Sequence, residues 1–255
     1  MQLFLKDYIL RDSCYDCKFK EQYNSDFIIG DFWSIDLVDK KFNDIKEKEY
    51  EYVNQEFIPF EGFLCDEIET TSDYRELTKI GYFDQTYEYC SLVSDNVIWM
   101  LITPHEINTM KKAINNAKGN ILVLGLGLGY YVFNVASKRE VKSVTVIEND
   151  KKIINLFNKY LLPKFPNKEE LSIMFGDAIK FVKDSTQKFD YVFADIWHNV
   201  GDGEMLYLKL KNKEKFHPES KFDYWIETSI LALLRRQTLT VFEEQLNGST
   251  EKDYL

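Results

Sequence analysis

The chain has 255 residues, 45% hydrophobic and 29% charged, enough apolar material for a packed core and too much for wholesale disorder. Lys and Arg number 32 against 42 Asp and Glu, so the net charge is −10, which opposes binding to a phosphate backbone because that affinity rests on cationic neutralisation. Nucleic acid is therefore not an expected partner, and no apolar run is long enough to span a membrane.

The chain opens MQLFLKDYILRDS, with no basic stretch leading into a long apolar one, so a secretory leader is not expected. Cys14, Cys17, Cys65 and Cys90 are too scattered for a disulfide scaffold, and the expected location is the cytoplasm. Residues 1–96 read as a β-rich region of short strands. SDFIIGDFWSIDLV, YEYVNQEFIPFEGFL and IGYFDQTYEYCSLV are rich in Tyr, Phe, Ile and Val with partial alternation.

From residue 97 to 255 the character changes. Thr103-Pro104-His105-Glu106 reads as a capping box with proline at the first helical position, opening a helix to about Lys118. Strand and helix signals then alternate: Asn120–Leu124 strand, Tyr130–Ser137 helix, Val141–Ile147 strand, Asp150–Leu162 helix, Leu171–Phe175 strand, Ala178–Val182 helix, Phe189–Ala194 strand. Such alternation with mostly apolar strands predicts an α/β Rossmann-like fold, a parallel sheet with helices on both faces. After Trp197, HNVGDGEMLYLKLKNKEKFHP reads as loop, and Glu219–Asn247 as one long helical stretch or two. The C-terminal strands of such a sheet are expected to be missing or altered.

The run ILVLGLGLGY sets Gly125, Gly127 and Gly129 at alternate positions between a buried strand and a helix, where glycine lets the backbone turn tightly and approach a ligand. The second strand ends in Glu148, placed to take the hydroxyls of a ribose. The third is followed by Asp177-Ala178, where an acid can accept from an adenine amino group. The fourth ends in Asp195. Acids at three successive strand tips beside a glycine loop define a ligand crevice. Glu148-Asn149-Asp150 also reads as an acidic helix start, with Asp150 as the cap. No P-loop motif is present, and a nicotinamide fingerprint fails because Tyr130 stands where its third glycine belongs.

In that order, VLGLGLGYY, VTVIEND, FGDA and FDYVFADIW resemble the class I S-adenosylmethionine-dependent methyltransferase superfamily over about residues 97–200, closest to its spermidine-synthase-like branch. The resemblance implies that Gly125, Gly127 and Gly129 cradle the aminoacyl end of S-adenosylmethionine. It further implies that Glu148 holds the ribose, Asp177 and Ala178 the adenine, and that Asp195 faces the reaction centre. Polyamine synthases carry an acidic pair for their amine, one member inside the glycine loop; GLGLG has no acid there. The leading expectation is accordingly a methyltransferase, with S-adenosylmethionine as cofactor and a small molecule or protein group as methyl acceptor. Asp195 and His198 are the candidate catalytic residues, and a homodimer is the oligomer considered. Aminopropyl transfer on polyamines and a non-catalytic cofactor-binding module are the alternatives. His105 reads as a surface or pocket-lining residue and His217 as a loop residue.

A second resemblance covers Leu3–Ile35, similar to a short segment of the coenzyme F420 hydrogenase/dehydrogenase beta-subunit family, in which cysteines can ligate iron–sulfur clusters. Cys14 and Cys17 form a CxxC, but a metal site needs about four ligands and Cys65 and Cys90 are remote in sequence. No bound metal is expected. The plainer reading is a β-hairpin whose Phe32 and Trp33 pack on the main domain.

Overall fold

The computed structural model describes residues 20–23, 46–47, 50–94, 97–165 and 168–252; Cys14, Cys17, Phe32 and Trp33 lie outside them. A five-stranded parallel sheet forms one half of the fold. Its strands are β4 (Gly119–Leu124), β5 (Val141–Glu148), β6 (Leu171–Phe175), β7 (Tyr191–Ala194) and β8 (Lys221–Tyr224). The spatial order is β6-β5-β4-β7-β8, with every neighbouring pair parallel. The order reverses direction between β4 and β7, and ligands bind at the carboxyl ends of strands at such a switch point. Ile121 to Leu124 and Val192 to Ala194 are buried at 0–1% exposure, as strands covered on both faces must be.

Helices α1 (Pro104–Asn116), α2 (Tyr130–Ala136), α3 (Lys151–Leu156), α4 (Ala178–Asp184), α5 (Val200–Lys211) and α6 (Glu227–Lys252) complete the fold. Asp150 caps α3 as expected, accepting from the Lys152 amide at 2.7 Å. The expected single helix to Leu162 instead widens into a π-turn over Phe157–Leu161 and tightens into a 3-10 turn over Leu162–Lys164. The change of pitch brings Phe157 inward, 1% exposed and edge-on to Phe165 at 5.0 Å.

Two C-terminal expectations are corrected. The segment read as loop after Trp197 contains α5, capped by a reciprocal pair in which Asn199 accepts from the first turn and Asp202 accepts from the Asn199 amide. Gly203 suggests a loop, yet it sits where a Cβ would lie 2.9 Å from the Trp197 ring, so the helix needs glycine there for close packing. The sheet also gains a fifth strand, β8, pairing in parallel with β7. No sixth or seventh strand of this sheet occurs among the described residues.

The second half is an antiparallel sheet in the order Lys46–Glu47, β1 (Tyr50–Phe57), β2 (Tyr87–Ser94), β3 (Val97–Leu101). Aromatic rings pack against it: Phe83 stacks on Tyr87 with centroids 4.1 Å apart, and Phe57 stacks on Phe63 at 4.3 Å. Strand β3 is the edge, exposing Val97, Ile98 and Trp99. It leads directly into α1 and so lies over the carboxyl end of the parallel sheet. Among the described residues no helix is long and apolar enough to cross a membrane.

Candidate functional site

A cavity of about 580 Å³ lies at the switch point, within the range of small-molecule sites. Its floor is the glycine loop after β4 and the tips of β5, β6 and β7; β3, Tyr50 and the first turn of α1 form the opposite side. Gly125, Gly127, Gly129 and Glu148 line it, as do Asp177, Ala178, Asp195 and His198, so the residues read from sequence converge on one space.

The glycines have different reasons for being there. Gly125 has φ +95° and passes so close to β7 that a Cβ would sit 1.9 Å from the Asp195 carbonyl oxygen. It is a packing requirement. Gly127, at φ +57°, meets only the Met100 sulfur at 3.7 Å, so a side chain there would project into open space at the cavity. Between them Leu126 and Leu128 are 5% and 6% exposed and anchor the loop in the core.

Glu148, 7% exposed, holds this loop in place. One carboxylate oxygen accepts from the Leu126 amide at 3.0 Å and the other from the Asp150 amide at 2.9 Å. Burial pushes its carboxyl above the usual range, opposed by those amides. Each oxygen keeps a second lone pair, so the residue can tie the loop and still accept a ligand hydroxyl. Asp177 likewise has a structural duty, capping α4 by accepting from the Lys180 amide at 2.7 Å.

Asp195 follows β7 at the cavity floor. Its backbone amide donates to the Leu124 carbonyl at 2.8 Å, fixing it across the switch point from the glycine loop. No described group donates to its carboxylate. Burial, then the charges of Glu106 and Glu148, hold that carboxyl well above the usual range.

Glu106 was missed by sequence reasoning. Read as half of a capping box, it makes no such cap, because the Thr103 side chain makes no capping bond. The carboxylate instead lines the cavity, with His105 Nδ1 3.7 Å from Oε1. Burial raises its pKa, which the His105 contact opposes. An acid three residues past a Thr fits both a cap and a cavity-facing group, so no local signal separates them. Among the described residues no Lys or Arg pairs with Glu106, Glu148 or Asp195. Three recessed carboxylates without a cation of their own suit a cationic ligand.

His198 stands at the rim, edge-on to Trp99 with centroids 4.5 Å apart. Its Nδ1 lies 2.9 Å from Asp202 Oδ2. Partial burial of Asp202 acts upward, but the His198 and Asn199 amides and the His198 ring outweigh it and hold the carboxyl below the usual range. An ionised acid can only accept, so the Nδ1 carries the proton and Nε2 is the basic nitrogen. His105 is partly buried against Trp225, and His217 is buried with its Nε2 2.9 Å from the Val182 carbonyl, a packed structural residue. Among the described residues no group of His, Cys, Asp or Glu could hold a metal ion.

Residues 101–215 match the family described as the Spermine/spermidine synthase domain. Similar curated proteins include several named polyamine aminopropyltransferase. That of Sulfurisphaera tokodaii is 31% identical over 131 residues, 47% of this chain and 43% of the relative. That of Methanocaldococcus jannaschii is 32% identical over 100 residues, 38% of this chain and 34% of the relative. That of Clostridium botulinum is 29% identical over 93 residues, 35% of this chain and 32% of the relative. The chain thus spans less than half the length of these relatives. The matches overturn two expectations: methyl transfer as the leading activity, and S-adenosylmethionine as cofactor. They lend nothing to the F420 resemblance. The chain has a Rossmann-like parallel sheet, and residues 101–215 are similar to the Spermine/spermidine synthase domain.

Proposed function

We propose that the chain is an aminopropyltransferase, moving the aminopropyl group of decarboxylated S-adenosylmethionine, a substrate, onto an amine. The observation that carries this reading is the recess of Glu106, Asp195 and Glu148, set in the segment similar to the synthase domain. Decarboxylation leaves the donor a cation at both its sulfonium and its terminal ammonium, and the acceptor is itself a cation at neutral pH. Neutral methyl acceptors would not call for so much buried negative charge.

In the transfer, the acceptor nitrogen in its neutral form attacks the aminopropyl carbon attached to sulfur. The new N–C bond forms as the C–S bond breaks, its electron pair stays on sulfur, and methylthioadenosine leaves. The new ammonium then sheds one proton. The residues' contribution is positioning and charge. Glu148 and Asp177 orient the nucleoside, Asp195 faces the reacting centre, and Nε2 of His198 takes the proton, its imidazolium steadied by Asp202.

Incubation with decarboxylated S-adenosylmethionine and a panel of linear diamines beginning with putrescine, followed by mass spectrometry, tests the reading. Methylthioadenosine appearing one-for-one with an amine lengthened by one aminopropyl unit supports it. No transfer to any amine, with the donor bound, would leave a binding module instead.

A further inference from the structure

We propose that Glu106 selects the ammonium end of the donor, supplying from the first turn of α1 the carboxylate that the glycine loop of this chain lacks. The inference rests on the aminopropyl reading and concerns how this particular site achieves it. The loop carries no acid: its positions with side chains, Leu126 and Leu128, are both core residues that anchor it. A carboxylate for that end of the cavity has to come from another element.

Glu106 is placed for this by three constraints. Pro104 fixes the backbone at the first position of α1. Thr109 Oγ1 reaches back to the carbonyls of His105 and Glu106, at 2.9 and 3.1 Å. Trp225 Nε1 donates to that same Thr109 oxygen at 2.9 Å, while the Trp225 amide donates to the Ala194 carbonyl at the end of β7 at 2.9 Å. The turn carrying Glu106 is thereby tied to the strand carrying Asp195. Both carboxylates line the same cavity, and the charge of Glu106 is felt at Asp195.

Two acids lining one cavity discriminate by charge. A propylammonium arm neutralises them, whereas the carboxylate of intact S-adenosylmethionine adds a third negative charge where solvent screens it less than at the surface. Glu106 is a specificity residue in this account, not a participant in bond breaking.

The test is calorimetric binding of decarboxylated S-adenosylmethionine, S-adenosylmethionine and methylthioadenosine to wild type, E106Q and E106D. Methylthioadenosine has no ammonium, so its affinity reports whether the fold and nucleoside site survive. The expectation is that E106Q leaves methylthioadenosine binding unchanged and weakens the decarboxylated donor about tenfold or more, the loss of one charge-assisted hydrogen bond. It should also narrow the preference over S-adenosylmethionine, and E106D should recover part of both. Equal weakening of all three ligands, or unchanged preference, overturns the role of Glu106 while leaving the aminopropyl reading intact. A wild-type chain that binds neither methylthioadenosine nor the decarboxylated donor overturns both.

Discussion

The two walls of the cavity are built on different principles. On the parallel-sheet side the groups are engaged with one another: Glu148 accepts from two backbone amides, and the Asp195 amide is bonded across the switch point. On the antiparallel side the edge strand β3 offers exposed Ile98 and Trp99, tied across by the Tyr50 hydroxyl donating to Asp150 at 2.8 Å and by the Trp99–His198 contact. The first wall holds charge in fixed places. The second covers it with apolar surface, excluding water and strengthening that charge. Glu106, on the first turn of α1 opposite, sets the charge preference, while stability and nucleoside binding should be far more sensitive to change on the first wall.

The largest expected effect separates two residues of that wall. Gly125→Ala drives a Cβ onto the Asp195 carbonyl and should cost more than about 4 kcal/mol, enough to unfold a marginal domain. Gly127→Ala meets only the flexible Met100 sulfur, and its left-handed backbone should cost about 1 kcal/mol. Thermal melts of both variants check this, and equal losses would mean the loop is uniformly structural. Glu148→Ala comes next. Two amides lose their acceptor, for about 2–4 kcal/mol, and nucleoside affinity should fall with the loosened loop. A folded Glu148→Ala protein binding methylthioadenosine normally would remove Glu148 from the site.

Asp195→Asn should move stability the other way. The Asp195 carboxyl is held above its ordinary value in the ligand-free fold, so ionising it there costs free energy. The fold is relieved of that charge below the usual carboxylate pKa of about 4 and penalised as pH rises through the raised value. The amide should thus raise Tm at pH 7 by about 2–4 °C, as about 1 kcal/mol does in a chain of this size, while transfer is lost. The gain should vanish toward pH 4. A lowered Tm at pH 7 would show that the carboxylate is satisfied rather than strained. The smallest effect on stability belongs to Asp202→Asn at the half-exposed rim. Without the anion the His198 tautomer is no longer fixed, so kcat should fall about tenfold to a hundredfold with donor affinity unchanged. An unchanged kcat would clear His198 of proton transfer.

What could be read from sequence follows the same division. Strands β4 and β7 were legible because Ile121–Leu124 and Tyr191–Ala194 are unbroken apolar runs. The glycines and acids at their tips follow from the alternation. Strand β8 was not legible: four residues long, KFDY carries two charges, and only its register against β7 makes it a strand. Helix α5 was hidden by Gly201 and Gly203, which locally mean flexibility, whereas in the fold Gly203 makes room for Trp197. The capping box was expected at Thr103–Glu106 and occurs at Asn199–Asp202, because in the first case tertiary structure turns the acid inward. Local pattern encodes the frame; which way a polar side chain faces is decided by what packs beside it.

The proposed recess prefers a donor ending in an ammonium and rejects one that keeps its carboxylate. Titration of the wild-type chain with decarboxylated S-adenosylmethionine and with S-adenosylmethionine, under the same buffer and salt, measures that preference directly. The predicted result is tighter binding of the decarboxylated compound by about tenfold or more, the worth of one charge pair in a desolvated site. Equal affinities, or tighter binding of S-adenosylmethionine, would contradict it.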